Sequence, residues 1–230
     1  LQTNGVLIDA EFAELFAAYK FLLGVSLDGP PDLHDRGRRY AGGAGSHADV
    51  LRGVGRLREH GVEFNILVLV SQSNVAQAQT VYRYLCEQGF LYHQYIPCVE
   101  AGPDGVPLPF SLRGEDWGEF LCRLFDEWHG ADTRRVSVRL FDSILALLVD
   151  RVPTICHLGR DCRQYFLVEH NGDVYPCDFF VERALCLGNI ARDSWVALQA
   201  SPVYAAFGAR KRAWNPACDA CAFLEVCAGD

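Results

Sequence analysis

EFNILVLVS, residues 63–71, predicts a β-strand buried on both faces, because it is a short and nearly continuous run of apolar residues. Amphipathic stretches flank it over residues 48–60 and 74–88, and both predict helices. Gly61 and Gly89 stand where these helices should end, since glycine readily adopts the left-handed conformation found after a helix C-terminus. A buried strand between two helices is typical of a parallel α/β sheet.

The same alternation extends outward over residues 1–151. Further strands are predicted at FLLGVSLDG (21–29), HQYIPCV (93–99) and RVSVRLF (135–141), and further helices at 9–20 and 115–129. The predicted fold is therefore α/β, with a parallel sheet that is open or curved into part of a barrel. Active sites of such folds collect at the C-terminal ends of strands. Polar residues in those places, which turns or helix caps would also explain, are Thr3 to Gly5, Ser26 to Gly29, Ser71, Gln94 and Asp142.

A second, smaller domain is predicted for residues 152–230, where helical periodicity fades and cysteines become frequent. In YFLVEHNGDVYPC, residues 165–177, two alternating runs are joined by Asn171 and Gly172, which is a strong β-hairpin signal. One amphipathic helix is predicted over residues 193–212. The predicted division between the two domains lies after residue 151.

The composition predicts a globular protein, since half of the 230 residues are apolar. The net charge of -8 is spread along the chain, which argues against nucleic acid or an anionic membrane as the main partner. Neither a membrane span nor a signal peptide is recognisable, so a cytoplasmic location is expected. The chain contains no methionine and starts within a strand-like segment, so we expect it to be a fragment of a longer protein.

Ten cysteines in a chain without a secretion signal indicate metal binding rather than a disulfide framework. Six of them form two groups of three, which predicts two metal or iron-sulfur sites that each lack one ligand. The first group is Cys156, Cys162 and Cys177, and the second is Cys218, Cys221 and Cys227. The other four lie in apolar stretches and are interpreted as packing residues: Cys86, Cys98, Cys122 and Cys186.

GPPDLHDRGRRYAGGAGS, residues 29–46, predicts a long polar loop after the second strand. Its arginines, Arg36, Arg38 and Arg39, belong either to a solvated connection or to a site that holds a carboxylate or phosphate of a ligand. Three histidines could in principle bind metal, but we interpret them as surface or core residues: His34, His157 and His170.

Several segments together resemble the anaerobic sulfatase-maturating enzymes, which are radical SAM proteins with a SPASM domain. The matching segments are LQTNG (1–5), GVSLDGP (24–30), GVEFNILVLV (61–70), QYIP (94–97), CRQYFLVEHNGDVYPCDFFV (162–181), LGNI (187–190) and CDACAFLEVCAG (218–229). The resemblance implies a partial (β/α)6 barrel that binds S-adenosylmethionine on a 4Fe-4S cluster. It also implies that a following domain carries two auxiliary 4Fe-4S clusters.

The resemblance further implies a role for each candidate site residue. The first group of three cysteines would hold one auxiliary cluster and the second group the other, with the fourth ligands beyond Asp230. Ser26, Arg36 and Arg38 would lie in the region that contacts S-adenosylmethionine. The C-x3-C-x2-C loop of the family is absent from these 230 residues, so we expect that the N-terminal cluster-binding segment is missing and that the fragment alone is inactive.

The activity implied by the resemblance is oxidation of a cysteine or serine of a target sulfatase to formylglycine. Asp178 would act as the base, since a carboxylate beside cluster thiolates sits in a negative field that favours proton uptake; it could instead cap nearby amides. The auxiliary clusters would accept an electron, and a flavodoxin or ferredoxin would serve as electron donor. The alternatives are a SPASM-domain enzyme that modifies another peptide and a zinc-binding interaction module on an α/β scaffold.

Overall fold

The structure, a computed structural model, describes residues 1–229. It divides into two compact units, Leu1–Phe141 and Asp142–Asp230. The last helix before the cysteine-rich region crosses this division, whereas the boundary predicted from the sequence falls just after that helix. The domain limits predicted from the sequence, 1–151 and 152–230, stay a prediction.

The first unit is built on a five-stranded sheet whose strands follow one another in chain order, and every neighbouring pair is parallel. This confirms the predicted α/β class with a parallel sheet. All of its strands therefore point their C-terminal ends toward the same edge. The strands are β1 (Gln2–Thr3), β2 (Leu22–Ser26), β3 (Glu63–Val70), β4 (Tyr92–Pro97) and β5 (Ser137–Val138).

Helices cover the connections between these strands. They are α1 (Ala10–Ala18), α2 (Pro31–Gly37), α3 (His47–Glu59), α4 (Ala78–Glu87) and α5 (Gly114–Ala131), followed by α6 (Arg139–Asp150). The side chain of Asp9 starts α1 by accepting a hydrogen bond from the backbone N–H of Phe12. Within residues 1–229, no helix combines the length and the hydropathy that crossing a membrane requires.

The core of the first unit lies where the sheet meets its helices. Ile66, Val68 and Val70 of β3 are fully buried, and Leu67 on the opposite face of the strand is buried as well. Gly24 of β2 makes room for Leu67, because a Cβ on Gly24 would lie 2.7 Å from Leu67 Cδ1. The predicted burial on both faces is therefore correct from Ile66 to Val68, whereas Leu69 is 38% exposed.

Three predicted elements differ from the structure. RVSVRLF contains only the short β5, because the segment that starts at Arg139 is the amphipathic helix α6. The polar loop at 29–46 contains α2, which begins at Pro31, a residue well suited to the first turn of a helix. The helix expected over 193–212 is two helices, α7 (Trp195–Gln199) and α8 (Pro202–Arg210), because Pro202 has no N–H to continue the first.

The second unit contains a three-stranded antiparallel sheet, β6 (Leu167–Val168), β7 (Asp173–Tyr175) and β8 (Gly188–Asn189). β6 and β7 form the predicted hairpin, and Gly172 in its turn has a φ of 85°. The Asn189 side chain closes that turn, since its Nδ2 donates to the Asn171 carbonyl at 3.0 Å and to Asp173 Oδ1 at 2.9 Å. The last helix of the unit is the single turn α9 (Leu224–Cys227).

Candidate metal centre

Three residues of the second unit meet where the hairpin ends. Cys177 follows β7 by two residues, and Asp178 lies next to it on the surface. The Tyr165 hydroxyl donates to Asp178 Oδ1 at 2.7 Å and lies 3.5 Å from Cys177 Sγ. The Cys177 thiol itself lies 3.6 Å from Asp178 Oδ1. A thiol, a carboxylate and a phenol thus form one connected group.

Burial and hydrogen bonding shift the acidity of two members of this group. The pKa of the Cys177 thiol is raised, chiefly because the half-buried side chain is desolvated. The pKa of Tyr165 is raised strongly, first by burial of its hydroxyl and then by its hydrogen bonds to Cys177 and Asp178. Tyr165 therefore keeps its proton over the whole ordinary pH range and acts as a hydrogen-bond donor.

The other two cysteines of the first group lie on short backbone segments near helix α8. Cys156 begins a 3-10 turn, Cys156–Leu158, and the backbone N–H of Cys162 donates to the Gly208 carbonyl at 3.4 Å. The Lys211 ammonium donates to the carbonyls of His157 at 2.7 Å and Cys156 at 3.5 Å. Both cysteine segments are thereby attached to the end of α8.

The second group of cysteines lies on a succession of tight turns. Cys218 ends the 3-10 turn Pro216–Cys218, which the Asn215 side chain caps by accepting from the Ala217 N–H at 2.9 Å. The Cys221 N–H donates to the Cys218 carbonyl at 3.0 Å, and Cys227 is the last residue of α9. Residues of α9 and of the Cys156–Leu158 turn have Cα atoms within 8 Å of each other, so α9 lies beside the segment of Cys156.

The chemistry of these side chains fits iron-sulfur clusters. All ten cysteines are free thiols, and thiolates are the ligands that such clusters take. Across residues 1–229, no three His, Cys, Asp or Glu side chains are grouped closely enough to hold a single metal ion. Cysteines that bind a cluster reach separate iron atoms, so they need not converge on one point as the ligands of a zinc ion do.

The predicted contacts to S-adenosylmethionine lie in the first unit. Ser26 is the last residue of β2 and is half-buried. Arg36 lies on α2, where its Nη1 donates to the Ser73 carbonyl at 3.4 Å. Arg38 binds Asp28 through Nε at 2.6 Å and Nη2 at 3.3 Å, so two of its donors serve an internal ion pair. The roles of all three residues in cofactor binding stay predictions.

A buried network that sequence reasoning missed surrounds this ion pair. His34, which is completely buried, accepts a hydrogen bond from the Asp28 backbone N–H at its Nδ1, and its Nε2 lies 3.1 Å from Ser46 Oγ. Asp28 Oδ1 also accepts from the Leu69 N–H at 2.8 Å, which ties the end of β2 to β3. Desolvation by burial lowers the pKa of His34 to about 4. His34 is thus a core histidine, one of the two settings that the sequence predicted for it.

The four cysteines outside the two groups were predicted to be packing residues, and they differ in burial. Cys98 is buried, and Cys86 packs against the core of the first unit, as predicted. Cys186 is half-buried, and its thiol lies 3.5 Å from the Gly188 carbonyl. Cys122 is exposed, so its prediction as a packing residue was wrong. Phe120 and Leu124 of the same helix point inward, and helical spacing places the residue between them on the outside.

Relatives with similar sequences are anaerobic sulfatase-maturating enzymes. The serine-type anaerobic sulfatase-maturating enzyme of Bacteroides thetaiotaomicron is 35% identical over 246 residues, which cover 100% of this chain and 59% of the relative. The cysteine-type anaerobic sulfatase-maturating enzyme of Clostridium novyi is 33% identical over 230 residues, covering 99% of this chain and 62% of the relative. The chain thus spans about three fifths of the length of these relatives.

Solved structures and a domain family agree with these matches. Native anSMEcpe with bound AdoMet and Cp18Cys peptide superposes with a TM-score of 0.89 and 33% identity, over 100% of this chain and 64% of that one. Streptococcus suis SuiB shares the fold, with a TM-score of 0.64 and 16% identity over 99% of this chain and 54% of that one. Residues 156–222 match the SPASM family, described as an iron-sulfur cluster-binding domain.

Proposed function

Because this chain is related along its whole length to the anaerobic sulfatase-maturating enzymes, we propose that the protein is a radical SAM maturase. Its substrate is a sulfatase polypeptide, in which it oxidises a cysteine or serine to formylglycine. The observation that carries this proposal is the group formed by Tyr165, Cys177 and Asp178 within the SPASM match, which places a carboxylate beside a cluster-type thiol.

The cofactors of this proposal are S-adenosylmethionine and 4Fe-4S clusters. When bound, they would supply the radical that removes a hydrogen atom from the substrate Cβ and an acceptor for the electron that is lost afterwards. The cysteines that hold the two auxiliary clusters are Cys156, Cys162 and Cys177 for the first, and Cys218, Cys221 and Cys227 for the second. Ser26 and Arg36 contact S-adenosylmethionine, and Arg38 shapes the same region through its pair with Asp28.

Asp178 accepts the proton in this proposal. After the hydrogen atom has left Cβ, the substrate must lose one proton and one electron to reach the oxidation level of an aldehyde. The Asp178 carboxylate is exposed and is held at one oxygen by the Tyr165 hydroxyl, which leaves the other oxygen able to receive the proton. The partners are a flavodoxin or ferredoxin as electron donor and the sulfatase itself, in the cytoplasm.

The test is anaerobic purification followed by iron and sulfide analysis and an assay with a sulfatase peptide. We expect iron and sulfide in the ratio of 4Fe-4S clusters, S-adenosylmethionine cleavage, and formylglycine in the peptide. Asp178→Asn should leave S-adenosylmethionine cleavage intact and suppress formylglycine by roughly a hundredfold or more, the usual effect of losing a general base. Glu182→Gln, an exposed acid of the same unit, is the matched control and should change neither.

Three outcomes would contradict the proposal or a part of it. Zinc in place of iron would indicate a zinc-binding interaction module. Iron-sulfur clusters with S-adenosylmethionine cleavage but a different peptide modification would indicate another reaction on the same fold. Equal loss of cleavage and product in Asp178→Asn would reject Asp178 as the dedicated base.

A further inference from the structure

One face of helix α8 contacts the segment that carries the first two cysteines. Tyr204, Gly208 and Lys211 follow one another at helical spacing, so they lie on the same side of the helix and its end. Tyr204 and Gly208 are buried, and Lys211 is half-buried. Each of the three residues bonds to a different part of residues 156–165.

Tyr204 and Gly208 hold the second half of this segment. The Tyr204 hydroxyl donates to the Tyr165 carbonyl at 3.1 Å, and the Gly208 carbonyl accepts from the Cys162 N–H at 3.4 Å. A Cβ on Gly208 would lie 2.6 Å from Arg163 Cγ and from Asp161 Oδ1, so a larger residue here would require these two side chains to shift. The hydrogen bond attaches the backbone at Cys162 to α8.

Lys211 holds the first half of the segment. Its ammonium donates to the carbonyls of Cys156 and His157 in the 3-10 turn that Cys156 begins. The carbonyl oxygen and the sulfur of Cys156 are separated by only a few covalent bonds. A ligand bound to that sulfur would therefore stand close to the positive charge of Lys211. The chain has only one other lysine, Lys20, which lies in the first unit.

We propose that this face of α8 positions the first auxiliary cluster and that Lys211 raises the reduction potential of that cluster. The inference rests on the proposed function, which assigns Cys156, Cys162 and Cys177 to the cluster. A cluster held by thiolates is anionic, and uptake of one electron adds a further negative charge without a proton. A nearby ammonium stabilises the reduced form more than the oxidised form, so it makes the cluster a better electron acceptor.

The experiment compares Lys211→Met, Lys211→Arg and Lys20→Met in the anaerobically purified protein. Cys218 and Cys221 are changed to alanine in every sample to remove the second auxiliary cluster. The signal of the cluster that binds S-adenosylmethionine is identified by its change when S-adenosylmethionine is added, and the remaining signal is that of the first auxiliary cluster. Each sample is equilibrated with dithionite and mediators at fixed potentials, and the reduced cluster is measured by electron paramagnetic resonance. No sulfatase is present, so the readout does not depend on turnover.

We expect Lys211→Met to lower the ratio of reduced to oxidised cluster about tenfold at a given potential, which for one electron corresponds to about 59 mV. Lys211→Arg keeps the charge and should keep the ratio of the parent, and Lys20→Met should also keep it. An unshifted ratio in Lys211→Met with iron retained would overturn the role of Lys211. So would an equal shift in Lys211→Arg and Lys211→Met.

Lys211→Met could also lose iron. In that case the iron content of Lys211→Arg and the thermal unfolding of both variants show whether the charge or the fold is responsible. Iron loss from a normally folded Lys211→Met, restored in Lys211→Arg, supports the positioning role. Iron loss in both variants, or unfolding in both, would reject a role for the charge. A parent protein without iron would defeat the proposed function and this inference together, whereas an iron-loaded parent with an unshifted Lys211→Met variant would defeat this inference alone.

Discussion

The hydroxyl of Tyr165 donates a hydrogen bond to Oδ1 of Asp178 at 2.7 Å, and the same oxygen atom of Tyr165 lies 3.5 Å from the sulfur of Cys177. The bond restricts the orientation of an exposed carboxylate. It also joins the proposed base to a proposed cluster ligand through one side chain. We therefore expect Tyr165 to position Asp178 in the proposed reaction.

We expect Tyr165→Phe to lower the yield of formylglycine per S-adenosylmethionine cleaved by about tenfold, because the carboxylate loses the bond that orients it. Mass spectrometry of the peptide, together with quantification of 5'-deoxyadenosine, measures both products. Tyr92→Phe, at a tyrosine that is 62% exposed, is the control and should leave the yield unchanged. A parallel fall of both products in Tyr165→Phe would contradict the positioning role.

The two groups of three cysteines predicted from the sequence separate thiols that should bind iron from thiols that should not. Cys177→Ala should reduce the iron content of the anaerobically purified protein by about one cluster, because a thiolate ligand is lost. Cys122→Ser, at an exposed position of α5, should retain the iron. Iron determination on both variants distinguishes the two cases, and an equal iron content would remove Cys177 from the ligand set.

Two glycines of α3 should respond to alanine in opposite ways. A Cβ on Gly53 would collide with the carbonyl oxygen of Gly5, whereas a Cβ on Gly55 would have no atom within 4 Å. Gly55→Ala should therefore raise the free energy of unfolding by about 0.5 to 1 kcal/mol, the usual gain in a helix interior. Gly53→Ala should lower it by about 1 to 3 kcal/mol, since the backbone must shift.

Urea unfolding of both variants beside the parent protein measures these changes. The two substitutions remove the same helix-propensity penalty, so the difference between them isolates the contact with Gly5. Stabilisation of similar size by both variants would show that α3 can move away from Gly5 without cost.

Buried His34 should make the stability of the first unit depend on pH. Its pKa is about 4 in the folded chain, against an ordinary value of 6.5, because burial disfavours the charged ring. The unfolded chain therefore binds more protons between these values, and stability falls as the pH falls from about 6.5 to 4. The loss attributable to His34 at pH 5 is roughly 2 kcal/mol.

Urea unfolding at pH 7.5 and pH 5 checks this dependence. His34→Asn should be less stable at pH 7.5 and should show a smaller difference between the two pH values. His170→Asn, whose side chain is 91% exposed, should keep the difference of the parent. His93 is buried with its pKa lowered to about 4 as well, so part of the dependence should remain in His34→Asn.

The predicted elements were confirmed where a few consecutive residues are enough to specify the structure. The apolar run of β3 and the Asn171–Gly172 turn carry their structural information within a few residues, and both formed as expected. The similarity to anSMEcpe also confirms the expected combination of a radical SAM barrel part and a SPASM-type domain. The first three residues of α6, 139–141, were predicted as strand because Val136 and Val138, just before them, favour extended structure.

Contacts between distant residues could not be predicted in this way. Tyr165 and Asp178 are brought together by the hairpin, and Lys211 reaches the Cys156 turn only after α8 has folded back on it. Nothing in the local sequence of Tyr165 or Lys211 indicates these partners. The exposure of Cys122, in contrast, could have been found from the helical spacing of Phe120 and Leu124.

The closure of the hairpin turn by Asn189 sets an order for biosynthesis. Asn171 and Asp173 leave the ribosome before Asn189, yet they bind its side chain in the finished sheet. The strand that presents Cys177 therefore reaches its final geometry only once residue 189 has been synthesised and has cleared the exit tunnel. Insertion of the proposed cluster at Cys177 would then follow the emergence of residue 189 from the ribosome.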